Sequence, residues 1–255
     1  MNAAWLIAQN TFREATRDRV LVGALCAGAG LLAVTQIVSP LALGEAERLT
    51  LDLGLSGISL IGLLVIVLVG TSLVAKEIEK RTIYNLLARP MSRHAYLIGK
   101  WAGLAATLWV VAVLLGLGLW LLMLARGESP HGTAILQAVY LAGLELNVVT
   151  AIAVMFSAIS TPILSALYTI ALYVVGQWSF DLRGFASRFP PALAQICDAA
   201  ASLAPNLPVF NMRTLAASGA TTSWEHLIIA TAYAFVYCGC ALCLATVAFE
   251  TRDLK

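Results

Sequence analysis

Few side chains in this 255-residue sequence have types and spacings that could do chemistry. The three histidines, His94, His131 and His226, fall in different connections between apolar runs, so no HExxH-type pair shares a helix face. Cys26, Cys238, Cys240 and Cys243 lie inside apolar runs and Cys197 lies in a loop. The cluster CGCALC at 238–243 invites a metal-site reading. On a helix, however, Cys238 and Cys240 point about 200° apart, which leaves the ordinary role of small hydrophobes. The Gly-Lys pair Gly99-Lys100 is followed by Trp101, and His94 stands where a P-loop needs its first glycine. The sequence therefore has no GxxxxGK[ST] loop to cradle phosphates.

One carboxylate falls inside an apolar run: Glu145 in LELNVVT, with Asn147 two residues on. An ionisable group at membrane depth is expensive to place and is a functional candidate by default. Counting back about 20 residues from Ser160 puts a membrane boundary near Leu141 and Glu145 about one turn inside it. A cargo or ion role and an interhelical hydrogen bond are both open readings of Glu145 and Asn147.

The other charge is concentrated. The chain is 60% hydrophobic and 12% charged, yet Lys76, Glu77, Glu79, Lys80, Arg81, Arg89, Arg93 and Lys100 crowd into the stretch AKEIEKRTIYNLLARPMSRHAYLIGK. Ile78, Thr82, Ile83, Leu86 and Leu87 recur there at helical spacing. Glu77 and Arg81 stand at i,i+4 with the acid first, a favourable order. Arg89-Pro90 ends this helix, and Ser92 is placed to cap the next. A helix, a proline turn and a new helix form a charged unit held between two membrane spans, able to pass a push from a soluble partner to both.

Six apolar runs position these features: 20–38, 58–75, 95–125, 135–159, 163–180 and 227–249, each near the ~20 residues that cross a bilayer core. The expected fold is an all-α polytopic membrane protein of one domain, residues 1–255. It has six transmembrane helices, an N-terminal interfacial amphipathic helix (2–18), a cytoplasmic coupling loop (76–94) and a short external helical hairpin or lid (181–226). Trp5, Ala8, Phe12 and Ala15 share one arc of the first helix, with Leu6 and Ile7 breaking the pattern. Within the lid, Leu193, Ile196, Ala200 and Leu203 follow Pro190-Pro191 at helical spacing and predict a short helix resting on the membrane mouth. In the first span Ala24-x-x-x-Gly28 permits close helix approach.

Lys and Arg set the orientation. Eleven of the 16 lie in the termini and even-numbered connections and five in the odd ones. This predicts a multi-pass protein with both termini cytoplasmic. The positive-inside rule accounts for the Lys and Arg of the 76–94 loop. It does not account for Glu77, Glu79, the proline turn or the helical spacing.

The stretch KEIEKRTIYNLLARPMSRHAYLIGKW resembles the signature of permease subunits of type-2 ATP-binding-cassette transporters. It matches through Glu77, Glu79, Arg81, Thr82, Leu86, Leu87, Pro90, Ser92, Arg93, Gly99 and Lys100. Arg81 stands where many relatives have Gly. The first helix, the six spans, the segment between spans five and six and the terminal Arg252-Asp253-Leu254 extend the resemblance over essentially the whole chain. It implies that Glu77, Glu79, Lys80, Arg81, Thr82, Leu86, Arg89, Pro90, Ser92 and Arg93 form a coupling helix docking on a separate ATPase subunit. It also implies two permeases and two ATPase subunits per transporter in the cell inner (plasma) membrane. ATP and Mg would be bound by the ATPase, with no cofactor, metal or nucleic acid on this chain. The family's permease–permease contact uses spans one and five, which makes Ala24 and Gly28 dimer-interface candidates.

The leading expectation is therefore a non-catalytic permease, an exporter of amphipathic or lipid-like cargo. An ATP-driven scaffold signalling to an external protein is a second reading. An intramembrane enzyme is a third, for which Glu145, Asn147, Gln36 and Gln177 are the main polar residues within the spans.

Overall fold

A computed structural model describes residues 3–41, 45–73, 92–127, 132–179, 195 and 204–251. Every regular element among them is helical. The α-helices are α1 (Ala3–Arg17), α2 (Arg19–Val38), α3 (Ala46–Leu68), α4 (Arg93–Ala125), α5 (Gly132–Ile159), α6 (Pro162–Gln177), α7 (Arg213–Ala217) and α8 (Trp224–Thr251). Short 3-10 turns follow α2 and α3 at Ser39–Leu41 and Gly70–Ser72, and a third spans Leu207–Phe210. Asp18 separates α1 from α2: its backbone is extended and its carboxylate accepts from the Val20 amide at 3.0 Å.

Five of the helices reproduce the expected runs to within three residues; α3 does not. α3 begins at Ala46, not near Ile58. Glu45, Glu47, Arg48 and Asp52 read as loop by hydropathy. The acids nevertheless suit a helix N-terminus, and Glu45 pairs with Arg48 at 3.1 Å on the exposed side. α6 ends early. Five segments, 19–38, 46–72, 93–125, 132–159 and 224–249, are long and apolar enough to cross a membrane, whereas α6 has 16 residues. At 1.5 Å per residue that is about 24 Å, short of a ~30 Å hydrocarbon core. Beside its last turn lies the backbone of another segment. A Cβ on Gly176 would come within 2.8 Å of the Pro205 carbonyl oxygen, so glycine lets that strand of chain lie against the end of α6.

Polar contacts fix which helix ends lie together. Arg93 at the start of α4 bonds the Phe249 carbonyl near the end of α8. Ser157 near the end of α5 donates to the Thr71 carbonyl after α3 at 2.8 Å. At the opposite end, Arg126 after α4 reaches Gln36, Ser39 and Thr50, and the Thr222 amide donates to Gln137 near the start of α5. The spans thus alternate in direction, and both anchors of the 74–91 segment, Leu73 and Ser92, belong to the end that carries α1 and the end of α8.

α5 is the central helix, with 78% of its most apolar window buried against 28% for α2. α1 lies along the first half of α4. A Cβ on Gly99 would come to 2.8 Å from the Ala4 carbonyl oxygen, and one on Gly103 to 2.6 Å from that of Ala8. The face of α1 turned inward is Ala4, Ile7, Ala8, Thr11 and Ala15, at helical spacing. Ile7, which broke the expected arc, belongs to this face. Trp5 and Leu6 point away and are exposed.

Candidate functional site

Glu145 stands near the middle of the 28-residue α5, about 20 Å from either end. α5 begins at Gly132, nine residues before the membrane boundary near Leu141 expected from the sequence. The side chain is 2% exposed. A buried carboxylate must be supplied with donors, and two neighbouring helices supply them. From α3, the Ser59 hydroxyl donates to Oε2 at 3.1 Å. From α6, Gln177 Nε2 donates to Oε1 and also to the Tyr173 hydroxyl at 3.0 Å.

A positive charge completes the cluster. Arg213, the first residue of α7, donates from Nη1 to the Ser56 hydroxyl at 3.2 Å. Ser56 and Ser59 are neighbours at i,i+3 on one face of α3, so Arg213 and Glu145 address adjacent hydroxyls, and the Arg213 charge acts on the carboxylate. The chain before α7 enters the bundle. Leu207 is 0% and Phe210 2% exposed. The Asn206 amide donates to the Tyr233 hydroxyl at 2.8 Å, and Tyr233 is about 14 Å along α8 from Trp224. His226 Nε2 meets the Val209 carbonyl at 3.0 Å. Residues 204–213 are therefore an inserted plug, held by α8, α6 and, through Arg213, α3. Of the helix expected around 193–203, only residue 195 is described, and it is helical.

Asn147 is not part of this cluster. Its carbonyl accepts from Trp101 Nε1 of α4 at 3.2 Å and from the Cys238 thiol of α8 at 3.5 Å. Its side-chain Oδ1 is buried without a hydrogen-bond partner. Cys238 is buried while Cys240 is exposed, as opposite helix faces require.

Of the coupling residues, Glu77, Glu79, Lys80, Arg81, Thr82, Leu86, Arg89 and Pro90 lie outside the described residues. Ser92 occupies the N-cap position of α4 with extended backbone, but its side chain makes no capping bond. Arg93 donates to the Phe249 carbonyl at 2.9 Å and sets its guanidinium 5.6 Å from that ring's centroid. Tyr96 stacks on the same ring. Lys100 is buried, with its ammonium 5.8 Å from the centre of the Tyr96 ring.

Ala24 and Gly28 do not form an outward face. Both are buried, and a Cβ on Gly28 would meet Leu115 of α4 at 2.7 Å. They seat α2 within the chain. The side of α2 turned away carries Gly23 and Gly30, where a Cβ would meet nothing within 4 Å, together with exposed Val22, Val34 and Ile37.

In the sequence Glu145 and Gln177 stand out as polar residues within the spans. Ser56, Ser59, Tyr173 and Arg213 do not, because hydroxyls inside apolar runs and an arginine in a connection carry no periodic signal. No curated protein matches the chain. Residues 5–254 match the family model described as ABC-2 family transporter protein. That match covers nearly the whole helical bundle, and the chain belongs to the ABC-2 transporter family as a membrane-spanning permease.

Proposed function

We propose that this chain is the permease of an ATP-driven exporter of amphipathic or lipid-like cargo, worked from its 76–94 segment by the associated ABC ATPase. Association with such an ATPase follows from the family. The complex would hold two permeases and two ATPase subunits in the inner membrane, with both termini cytoplasmic and α6 completing a six-span architecture. ATP and Mg belong to the ATPase. The observation that carries the proposal is the bond from Arg93 to the Phe249 carbonyl. The proposed coupling segment returns to the bundle at that residue, so force on it is delivered to α4 and α8 together. Cargo would pass where the plug 204–213 now lies, and lifting the plug would draw Arg213 away from Glu145.

Charge reversal of Glu77 and Glu79 to Lys tests the input end. The reversed permease should reach the membrane in normal amount but retain far less ATPase on co-purification. Undiminished co-purification would overturn the docking role of 76–94.

A further inference from the structure

We propose that the cluster of Ser56, Ser59 and Glu145 binds a cationic headgroup, and that Arg213 fills this site as the chain's own stand-in for cationic amphipathic cargo. The inference rests on the reading above in which cargo passes where the plug now lies.

A carboxylate near the middle of a membrane helix is expensive to bury without a positive charge beside it. Ser59 and Gln177, which bond the two oxygens of Glu145, are neutral. The cation that acts on Glu145 is Arg213. It does not come from a span: it opens the five-residue α7, in the connection between α6 and α8. Its hydrogen bond goes not to the carboxylate but to the Ser56 hydroxyl, at 3.2 Å. The strongest pairing of these two groups is a bidentate fork. Here one bond to a neutral hydroxyl holds the guanidinium, an attachment that a competing cation can replace. A carboxylate has about four acceptor positions, so Glu145 keeps capacity for such a group.

The cluster is also open on one side. Glu145 and Ser59 are each 2% exposed, whereas Ser56, Tyr173, Gln177 and Arg213 are half-buried. Its polar lining is thus reached from the flank between α3 and α6, where Arg213 sits. Withdrawing Arg213 leaves a buried carboxylate unpaired, which is strongly destabilising. An anionic headgroup would add repulsion, and a neutral one would leave the charge uncompensated. A guanidinium or amine on the cargo replaces what the plug takes away. The plug therefore leaves most readily when such cargo arrives.

Octylguanidinium and octylurea, alike in size and shape but different in charge, test this on the full-length permease in phosphatidylcholine nanodiscs. Hydrogen exchange read by mass spectrometry should quicken about tenfold across residues 204–217 with octylguanidinium and stay unchanged with octylurea. In Arg213→Ala, which removes the stand-in, octylguanidinium should raise the thermal midpoint at about a tenfold lower concentration than in wild type. In Glu145→Gln its advantage over octylurea should vanish. Methylguanidinium, a cation without a tail, should act about tenfold more weakly; equal action would assign the site to a free aqueous cation and overturn the amphiphile. Octylguanidinium that leaves 204–217 as protected as octylurea does overturns the proposal, as does a preference that survives Glu145→Gln. None of these readouts needs ATP or the ATPase. Binding that persists where ATP-driven export fails would count against the exporter reading and not against the site.

Discussion

Arg93 holds the carbonyl of Phe249 at 2.9 Å and covers its ring with the guanidinium, joining the first turn of α4 to the last turns of α8 across the whole intervening fold. The bond answers two local needs. The final carbonyls of a helix lack partners within it, and the negative end of the helix dipole favours a cation beside it. Arg93→Met removes both and leaves the aliphatic packing. A hydrogen bond to a charged group is worth about 1.5–3 kcal/mol. The thermal midpoint of the purified permease should therefore fall by about 3–12 °C, and proteolysis at the C-terminus should quicken. An unchanged midpoint with unchanged cleavage would show that the bond does not tie the two helices.

Close approach of α1 to α4 depends on having no side chain at Gly103. A Cβ there would lie 2.6 Å from the Ala8 carbonyl oxygen and 3.1 Å from the Phe12 amide nitrogen. Backbone cannot yield as a flexible side chain can. Gly103→Leu should release α1, at a cost of about 1–3 kcal/mol for overpacking. Gly23→Leu, on the open side of α2, is the matched control and should change stability little. Trypsin cleavage at Arg13 and Arg17 reads the outcome: rapid cutting in Gly103→Leu and wild-type rates in Gly23→Leu. Equal rates in both would remove α4 as the support of α1.

Arg126 gathers three hydroxyl or amide acceptors: Gln36 at 2.6 Å, Ser39 at 2.6 Å and Thr50 at 3.1 Å. It thereby clamps the ends of α2 and α4 to the start of α3. A guanidinium fork spans such a set, whereas an ammonium is a point charge. Arg126→Lys should therefore lose most of the stability lost by Arg126→Met, about 2 kcal/mol by the strength of charged hydrogen bonds. Thermal unfolding of the two variants side by side decides it; a lysine variant as stable as wild type would show that charge alone suffices.

The helices were legible because their apolar runs are long and their caps, prolines and charges mark the ends. α4, from Arg93 to Ala125, was anticipated to within two residues. Failures came where tertiary contacts overrule hydropathy. The acidic start of α3 looks like a loop by hydropathy yet forms the helix's first turns without a side-chain capping bond, and nothing in the sequence of α6 shows that Pro205 lies against Gly176. Glu145 was visible as the one carboxylate in an apolar run. Its donors were not: Ser59 and Gln177 lie 86 and 32 residues away in sequence, and only packing brings them to it. Ala24 and Gly28 show the same limit, since small residues mark a close approach without saying which neighbour makes it.

Glu145 and Arg213 meet on neighbouring hydroxyls of α3, so their contributions should be coupled. Glu145→Leu strands the Ser59 and Gln177 donors, and an unsatisfied buried polar group costs about 1–3 kcal/mol. Glu145→Gln keeps an acceptor of the same shape and should lose less. Arg213→Gln alone removes the charge that faces the carboxylate and loosens the plug from Ser56. In the Glu145→Gln background the same change should matter less, because no carboxylate is left to attract the guanidinium. A double-mutant cycle on thermal stability measures the difference, expected at about 0.5–3 kcal/mol for groups in one network. Additivity within about 0.3–0.5 kcal/mol would separate the plug from the carboxylate. A clear coupling would tie the inserted segment to the carboxyl group at the centre of α5, as gating of that site by residues 204–213 requires.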